Sequence, residues 1–391
     1  MPAGVVVVGS GVAGLHTANM LARRLPSSAA NIRVIDPTGQ HSYQPGWLSV
    51  ALDGTSSSRL SRDVQTLLHP RVELVLDQVA RLDPTAGKLW LRRQGTMSYD
   101  YAVLATGTRL DRDAVPGLEE GTHDFYSLDG AKRLRETIRH FDGGSILVGI
   151  AGVPYPCPPV PFEFALRLEE LLRHRGIRDQ THIRYLSPLN RAFPIEEASA
   201  LVEPILEERG IEMVPFVNVE EVDPAGKRLF SLEGDTFSYD LAILVPPHRG
   251  STLVDDSGLG DPGGWIPTDH STLKVKGYNR LFAIGDATDL PISKAGSTAH
   301  FESAVVAEQI AAAIEGRQPD PATGIYRGRV VCFLGLGGKR ATIIQLDADH
   351  PPKVARPSRF WHMARWAFER TYWATLKNGL GFRAERFLRR K

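Results

Sequence analysis

Apolar residues along this chain come in short unbroken runs rather than in strict alternation. Val5-Val-Val-Val8, Ile32-Arg-Val-Ile-Asp36, Ser145-Ile-Leu-Val-Gly149 and Leu281-Phe-Ala-Ile284 are each closed at the C-terminal end by glycine or an acid. Runs of this length read as strands covered on both faces, which is the signature of parallel sheets. Between them the period changes to that of a helix, over Leu15–Leu25 and Phe162–Arg173. Further strands are expected at His182–Leu186 and near Glu212–Val219 and Lys227–Leu232. Strand and helix alternate, so the fold class is α/β with Rossmann-like units. Tyr239-Asp-Leu-Ala-Ile-Leu-Val-Pro-Pro247 echoes Tyr99-Asp-Tyr-Ala-Val-Leu-Ala-Thr106, a weak internal repeat of one architecture.

The connection after the first strand adds chemistry to that pattern. Gly9-Ser-Gly-Val-Ala-Gly14 lies between the strand Val5–Val8 and a helix, and Asp36 ends the following strand. The glycines at 9, 11 and 14 suit a tight turn, close approach of a pyrophosphate and close helix–strand packing. The backbone of Ser10, Val12 and Ala13 then lines the anion site at the helix N-terminus. Asp36 is placed to meet an adenosine ribose hydroxyl. Strand, turn, helix, second strand and acid are all in register, so a dinucleotide site is predicted.

Composition excludes more than it specifies. The 391 residues suffice for two or three domains, and the net charge of +1 gives no global field directed at nucleic acid. Two cysteines far apart in sequence make neither a disulfide framework nor a metal-ligand cluster, and no metal is expected. Met1-Pro-Ala leads straight into a buried strand without a basic n-region, so no signal peptide is expected. No stretch reaches the ~18–20 apolar residues of a membrane span. Charge is unevenly spread, however. From Arg359 to Lys391 there are nine Lys or Arg against two Glu, together with three of the six tryptophans. That asymmetry marks an interaction surface.

The cysteines sit in unusual places. Cys157 lies in Gly149-Ile-Ala-Gly-Val-Pro-Tyr-Pro-Cys-Pro-Pro-Val-Pro-Phe-Glu163, where a second glycine-rich phosphate turn would otherwise follow the strand. The prolines at 154, 156, 158, 159 and 161 stiffen this loop. The helix start just beyond it predicts a lowered thiol pKa. Cys332, in Arg329-Val-Val-Cys-Phe-Leu-Gly335, reads equally as a small hydrophobe in a strand. Glu163 is either a buried base with a raised pKa or an ordinary acid at a helix N-terminus.

Taken in order, several features resemble the sulfide:quinone oxidoreductases over nearly the whole chain. They are the glycine turn, Tyr43 with Pro45, Ala105-Thr-Gly107, Cys157-Pro-Pro159 before Phe162-Glu163, Pro246-Pro247, Gly285-Asp286, Lys294-Ala-Gly296, Cys332 and the tail Phe360–Tyr372. The resemblance implies FAD, bound by a discontinuous domain of residues 1–110 and 240–320. A second Rossmann-like domain spans 111–239, and a C-terminal segment spans 321–391. By the same resemblance Cys157 and Cys332 form the redox pair, joined by a disulfide or by bridging sulfur, with Cys332 nearer the flavin and Cys157 holding the persulfide. Pro45, Ala105, Thr106, Gly107, Gly285, Asp286, Lys294 and Arg365 fall to the cofactor, Glu163 to proton transfer, and Phe333 and Phe368 to a quinone pocket. The tail, 359–391, matches a basic amphipathic helix that lies on a membrane, with Phe360, Met363, Ala364, Ala367, Phe368 and Thr371 at helical spacing.

The implied partners are sulfide, a membrane quinone and a membrane surface at the cytoplasmic face, without nucleic acid; a homo-oligomer is left open. Gly121–Leu128 holds no thiol where well-studied members of that family carry a third cysteine, so another sulfur acceptor is implied. Type II NADH:quinone oxidoreductases share the architecture but need a glycine-rich second loop, which the prolines replace. A flavin and cysteine redox sensor is the other alternative, and a cytochrome-coupled form would require export.

Overall fold

The computed structural model describes residues 1–378, so Arg383, Arg386, Arg389, Arg390 and Lys391 of the basic tail lie outside the described residues. Two parallel sheets carry the molecule. In the first, strands run in the order Leu281–Ala283, Tyr101–Leu104, Ala3–Val8, Ala30–Asp36, Val72–Leu76. In the second the order is Ile211–Val214, Thr181–Leu186, Gly144–Ile150, Leu241–Val245. Every pairing within both is parallel. Val5, Val7, Val34 and Val103 have no exposed surface, as unbroken apolar strands between helical layers require.

The repeat is real at the level of elements. Each unit adds a three-stranded antiparallel meander between its third and fourth parallel strands in chain order: Val79–Asp83, Lys88–Leu91 and Gly95–Ser98 in the first, Val219–Asp223, Arg228–Ser231 and Thr236–Ser238 in the second. The boundary expected at residue 240 falls too early. Leu241–Val245 hydrogen bonds in parallel with Ile146–Ile150, so the second unit keeps that strand. The chain returns only afterwards, where His248–Gly250 pairs antiparallel with Thr108–Leu110.

Beyond both units, Val330–Gly335, Ala341–Asp347 and His350–Val354 form an antiparallel meander. A helix over Arg359–Asn378 follows. Tyr372 and Leu376 of this helix are buried in the core of the first unit, whereas Phe360, Met363, Trp366 and Phe368 are exposed. Asn19 of the first helix, Val12–Arg24, ties it down by donating to the Leu376 carbonyl at 3.0 Å. Among the described residues no helix is long and apolar enough to cross a membrane.

Candidate functional site

The glycine turn has the shape its spacing predicts. Gly9 stands at φ 100°, and a Cβ there would lie 2.4 Å from the Ala105 carbonyl oxygen. A Cβ on Gly14 would lie 1.9 Å from the Gly9 carbonyl oxygen, so helix and turn touch backbone to backbone. Above Gly11 nothing lies within 4 Å, which leaves the approach open. Asp36 is committed to the turn itself. It accepts from Ser10 N and Oγ at 3.1 and 2.6 Å, and from Thr38 and Gly39. Burial alone would raise this carboxyl, but those donors outweigh it and hold the pKa below the usual range.

Across the sheet ends, Ala105-Thr-Gly107 and Gly285-Asp286 face the same region. Gly285 sits at φ 70°, with its nearest neighbours Ala13 of the first helix and Ala299 of the long helix Gly296–Ile314. The buried Thr106 Oγ1 and one oxygen of Glu302 have no hydrogen-bond partner among the described residues. Open glycines, two orphaned polar atoms and a helix N-terminus converge there, as a dinucleotide cofactor requires. The residues fit FAD. Pro45 stands in a short 3-10 turn, Gln44–Gly46, at the rim. Burial pushes the Asp286 carboxyl up, opposed by Lys294.

Lys294 does something the sequence did not suggest. Its Nζ donates to the carbonyls of Asp286 at 3.1 Å and Thr288 at 2.7 Å, and lies 4.2 Å from the Trp265 ring centre. The ammonium is thus occupied with clamping the Gly285–Thr288 turn. Its own carbonyl accepts the Cys157 N–H at 2.6 Å. Three residues on, Ser297 Oγ accepts the N–H of Val331, the neighbour of Cys332, at 3.3 Å. Residues 294–297 therefore hold the cofactor turn, the cysteine loop and the cysteine strand at one point.

Both cysteines are free thiols and half-buried. Cys157 adopts φ 55°, a left-handed conformation, just before the helix Pro159–His174. Its thiol is not lowered by that helix. Burial pushes it well up, and Cys332, Glu163 and Asp286 add to the rise. Cys332 lies in the strand Val330–Gly335 opposite Ile344. Burial raises it to about 11, and Ser297 offsets part of the effect.

Glu163 is buried but is not a base of raised pKa. Burial would lift its carboxyl; the guanidinium of Arg365 reverses this, with Arg167 and the Gly335 N–H assisting. Arg365 Nη1 donates to Glu163 at 2.6 Å and Nε to Glu369 at 3.0 Å. Gly335 is required for this approach, since a Cβ there would lie 2.6 Å from Arg365 Nη1. Arg365, expected at the cofactor, faces inward onto the carboxylates of Glu163 and Glu369. It connects the C-terminal helix to the helix behind Cys157.

Phe333, next to Cys332, meets Phe368 of the C-terminal helix with ring centres 6.2 Å apart. Tyr372 continues this aromatic row toward Tyr43, at 4.6 Å between ring centres. Sequence reasoning missed the partner of Tyr372. His41 bonds Ser10 O through Nδ1 at 2.9 Å and the Tyr372 hydroxyl through Nε2 at 2.6 Å. A carbonyl only accepts, so Nδ1 carries the proton and the tyrosine donates to Nε2. No motif signals such a pair, because its members are separated by most of the chain. Among the described residues no group of three or more His, Cys, Asp or Glu could hold a metal ion.

Two parallel dinucleotide-type units, joined as described around one glycine-turn site, define a flavin-dependent oxidoreductase that binds FAD. The chain belongs to the pyridine nucleotide-disulphide oxidoreductase family, whose pattern matches residues 3–311. It is 26% identical over 364 residues to the mitochondrial sulfide:quinone oxidoreductase of Mus musculus, covering 90% of this chain and 80% of that one. It is also 26% identical to a type II NADH:quinone oxidoreductase of Staphylococcus aureus, covering 88% and 94%. In fold it is similar to the crystal structure of the sulfide:quinone oxidoreductase from Aquifex aeolicus, with a TM-score of 0.85 at 22% identity over 96% and 92% of the chains.

Proposed function

We propose that this protein oxidises sulfide through Cys157 and Cys332 and passes the electrons by way of FAD to a membrane quinone. The observation that carries the reading is the convergence of both cysteines on residues 294–297, beside the cofactor turn. In the oxidised enzyme the two sulfurs form a bridge. Hydrosulfide attacks the Cys157 sulfur, the bridging S–S bond breaks, and Cys157 keeps a persulfide. Cys332 leaves as the thiolate with the bonding electron pair. The direction follows from leaving-group chemistry, because the sulfur of lower pKa departs more readily. Beyond burial, Cys332, Glu163 and Asp286 push the Cys157 thiol up, whereas the Ser297 hydroxyl beside Cys332 counters the rise there, which favours Cys332 as the departing thiolate.

Bound FAD supplies the two-electron acceptor between the thiolate and the quinone. Glu163 serves this site by keeping Arg365 in place rather than by taking the proton. Phe333 and Phe368 offer an apolar ring-binding rim next to Cys332, as a quinone site requires. The exposed Phe360, Met363, Trp366 and Phe368, with Arg359 and Arg370 on the same helix, suit docking on the cytoplasmic face of a membrane.

The type II NADH reading lacks its phosphate turn. The segment after Gly144–Ile150 is Ala151–Pro158, carrying Pro154, Pro156 and Pro158 and folded onto Pro247 at Gly152. Anaerobic mixing with sulfide or NADH, followed by a short-chain quinone, distinguishes the two. Sulfide is expected to bleach the flavin and the quinone to restore it, and neither Cys157→Ser nor Cys332→Ser is expected to respond to sulfide. Bleaching by NADH alone would overturn the proposal, as would undiminished sulfide reduction in both variants.

A further inference from the structure

The two cysteines sit on separate elements, whose relative placement must be fixed for the sulfurs to meet. Residues 294–297 fix one end, through the Cys157 N–H to Lys294 O at 2.6 Å and the Val331 N–H to Ser297 Oγ at 3.3 Å. The other end meets at one atom. Glu163 Oε2, on the helix Pro159–His174 that follows Cys157, accepts the Gly335 N–H at 3.2 Å. Gly335 ends the strand Val330–Gly335, which carries Cys332. The same oxygen accepts Arg365 Nη1 of the C-terminal helix at 2.6 Å.

Leu334 shares a buried core with Phe162 and Phe164, which holds this strand and helix together. Apolar packing has no direction, so it leaves one element free to slide along the other. A hydrogen bond to a carboxylate is directional and fixes the register. It needs the carboxylate ionised and held still in a buried place. Arg365 supplies both conditions. Its charge overcomes the burial of Glu163, and its own Nε is anchored on Glu369 at 3.0 Å. Arg167 is a lesser partner, 4.0 Å from the other Glu163 oxygen and committed to Asp53 at 2.5 Å. The contact also needs glycine on the strand, since a Cβ on Gly335 would lie 2.9 Å from the Glu163 carboxyl carbon.

We infer that Arg365 is a positioning residue for the cysteine pair. By holding Glu163 against the Gly335 N–H, it sets the helix after Cys157 and the strand of Cys332 at the separation from which the two sulfurs can bridge. This role presupposes that Cys157 and Cys332 act as a redox pair, and it is independent of which donor reduces the enzyme. Arg365 and Tyr372 lie two turns apart on the C-terminal helix, and Phe368 between them meets Phe333 beside Cys332. The helix thus grips the elements of both sulfurs from one side, while Phe360, Met363 and Trp366 stay exposed on another.

Forming the bridge takes two electrons and two protons from the thiols. A glutathione buffer supplies the acceptor, one glutathione disulfide becoming two glutathione thiols for each bridge formed. The equilibrium constant scales with the effective concentration of one thiol at the other, so it reports positioning rather than overall stability. The anaerobic FAD-containing enzyme is equilibrated in such buffers without sulfide or quinone. Free thiols are then blocked with iodoacetamide, and bridged pairs are counted by intact mass.

Arg365→Met is expected to bridge about tenfold less readily, a shift of ~30 mV for this two-electron couple. Arg365→Lys keeps a cation on Glu163 and should recover most of that loss. Glu163→Leu combined with Arg365→Met leaves no unpaired buried charge, so it decides the matter if the single variant does not fold. It should bridge as poorly as Arg365→Met. A wild-type equilibrium in either methionine variant would overturn the inference, as would a lysine variant no better than methionine. A loss in Arg365→Met that the double variant abolishes would assign the effect to unpaired charge and overturn it too. If the wild type never bridges, the redox-pair reading falls and this role with it; if it bridges and the variants match it, the positioning role alone falls.

Discussion

At the scale of single residues, charge partners decide what a buried group can do. Glu163 and Arg365 form a pair in which each removes the other's burial problem. Taking away one partner leaves a buried charge and costs about 3–5 kcal/mol; Glu163→Gln should fall toward the lower figure because Glu369 still holds Arg365 Nε. The sign of the pH effect follows from the direction of the shift. The Glu163 carboxyl lies below its ordinary 4.5 in the folded chain, so its contribution is present above pH 4.5 and is lost as pH falls through the lowered value. Denaturant titrations should therefore show a shallower acid limb in Glu163→Gln than in the wild type, along with reduced stability at pH 7. An equally steep limb in the variant would assign acid sensitivity to other carboxylates.

The same scale shows where reading the sequence stops. The glycines at 9, 11 and 14 were legible because turn geometry restricts residue type at fixed spacing. The cysteines stood out by rarity and by their prolines. The protonation states of Cys157 and Glu163 were not legible, since each is set by burial together with groups distant in the chain: burial raises Cys157 and Cys332 adds to it, while Arg365 reverses the effect of burial at Glu163. Lys294 carried the right motif but points at carbonyls that only the folded turn brings together.

At the scale of elements, the C-terminal helix is fastened from three directions. Arg365 binds the cysteine helix, Tyr372 binds His41, and Leu376 O accepts from Asn19. Its periodicity was visible in sequence, but which stripe faces the protein was not, because both sides carry aromatic residues. Burial separates them: Tyr372 is buried and Phe360, Met363 and Trp366 are exposed. Tyr372→Phe leaves His41 Nε2 without its donor in a buried place, a loss of about 1–3 kcal/mol. Chemical denaturation should show it. Limited proteolysis should also cut the helix sooner, and unchanged protection would mean that Asn19 and Arg365 suffice. His41 also bonds the Ser10 carbonyl, so a change at Tyr372 reaches the glycine turn.

At the scale of the whole molecule, the strand-and-helix alternation gave both sheets and their order could not be inferred, since neighbours such as Leu281–Ala283 and Tyr101–Leu104 lie far apart in sequence. Membrane docking belongs to this scale, because it uses an entire helix face. Replacing Met363 and Trp366 by glutamate is expected to abolish co-sedimentation with anionic vesicles while leaving flavin content intact; retained binding would move the docking surface elsewhere. Both residues are exposed, and neither substitution disturbs the buried Tyr372 side.

The strand pair Thr108–Leu110 with His248–Gly250 gives the molecule one more property. The second unit leaves and re-enters the first through neighbouring antiparallel strands, so its two ends lie about 5 Å apart. A segment with adjacent ends can be exchanged as a cartridge without moving the scaffold that receives it. The FAD-binding unit can thus stay fixed while the inserted unit varies. A chimera that keeps Thr108–Leu110 and His248–Gly250 and imports a foreign unit between them is the form in which such an exchange would be made.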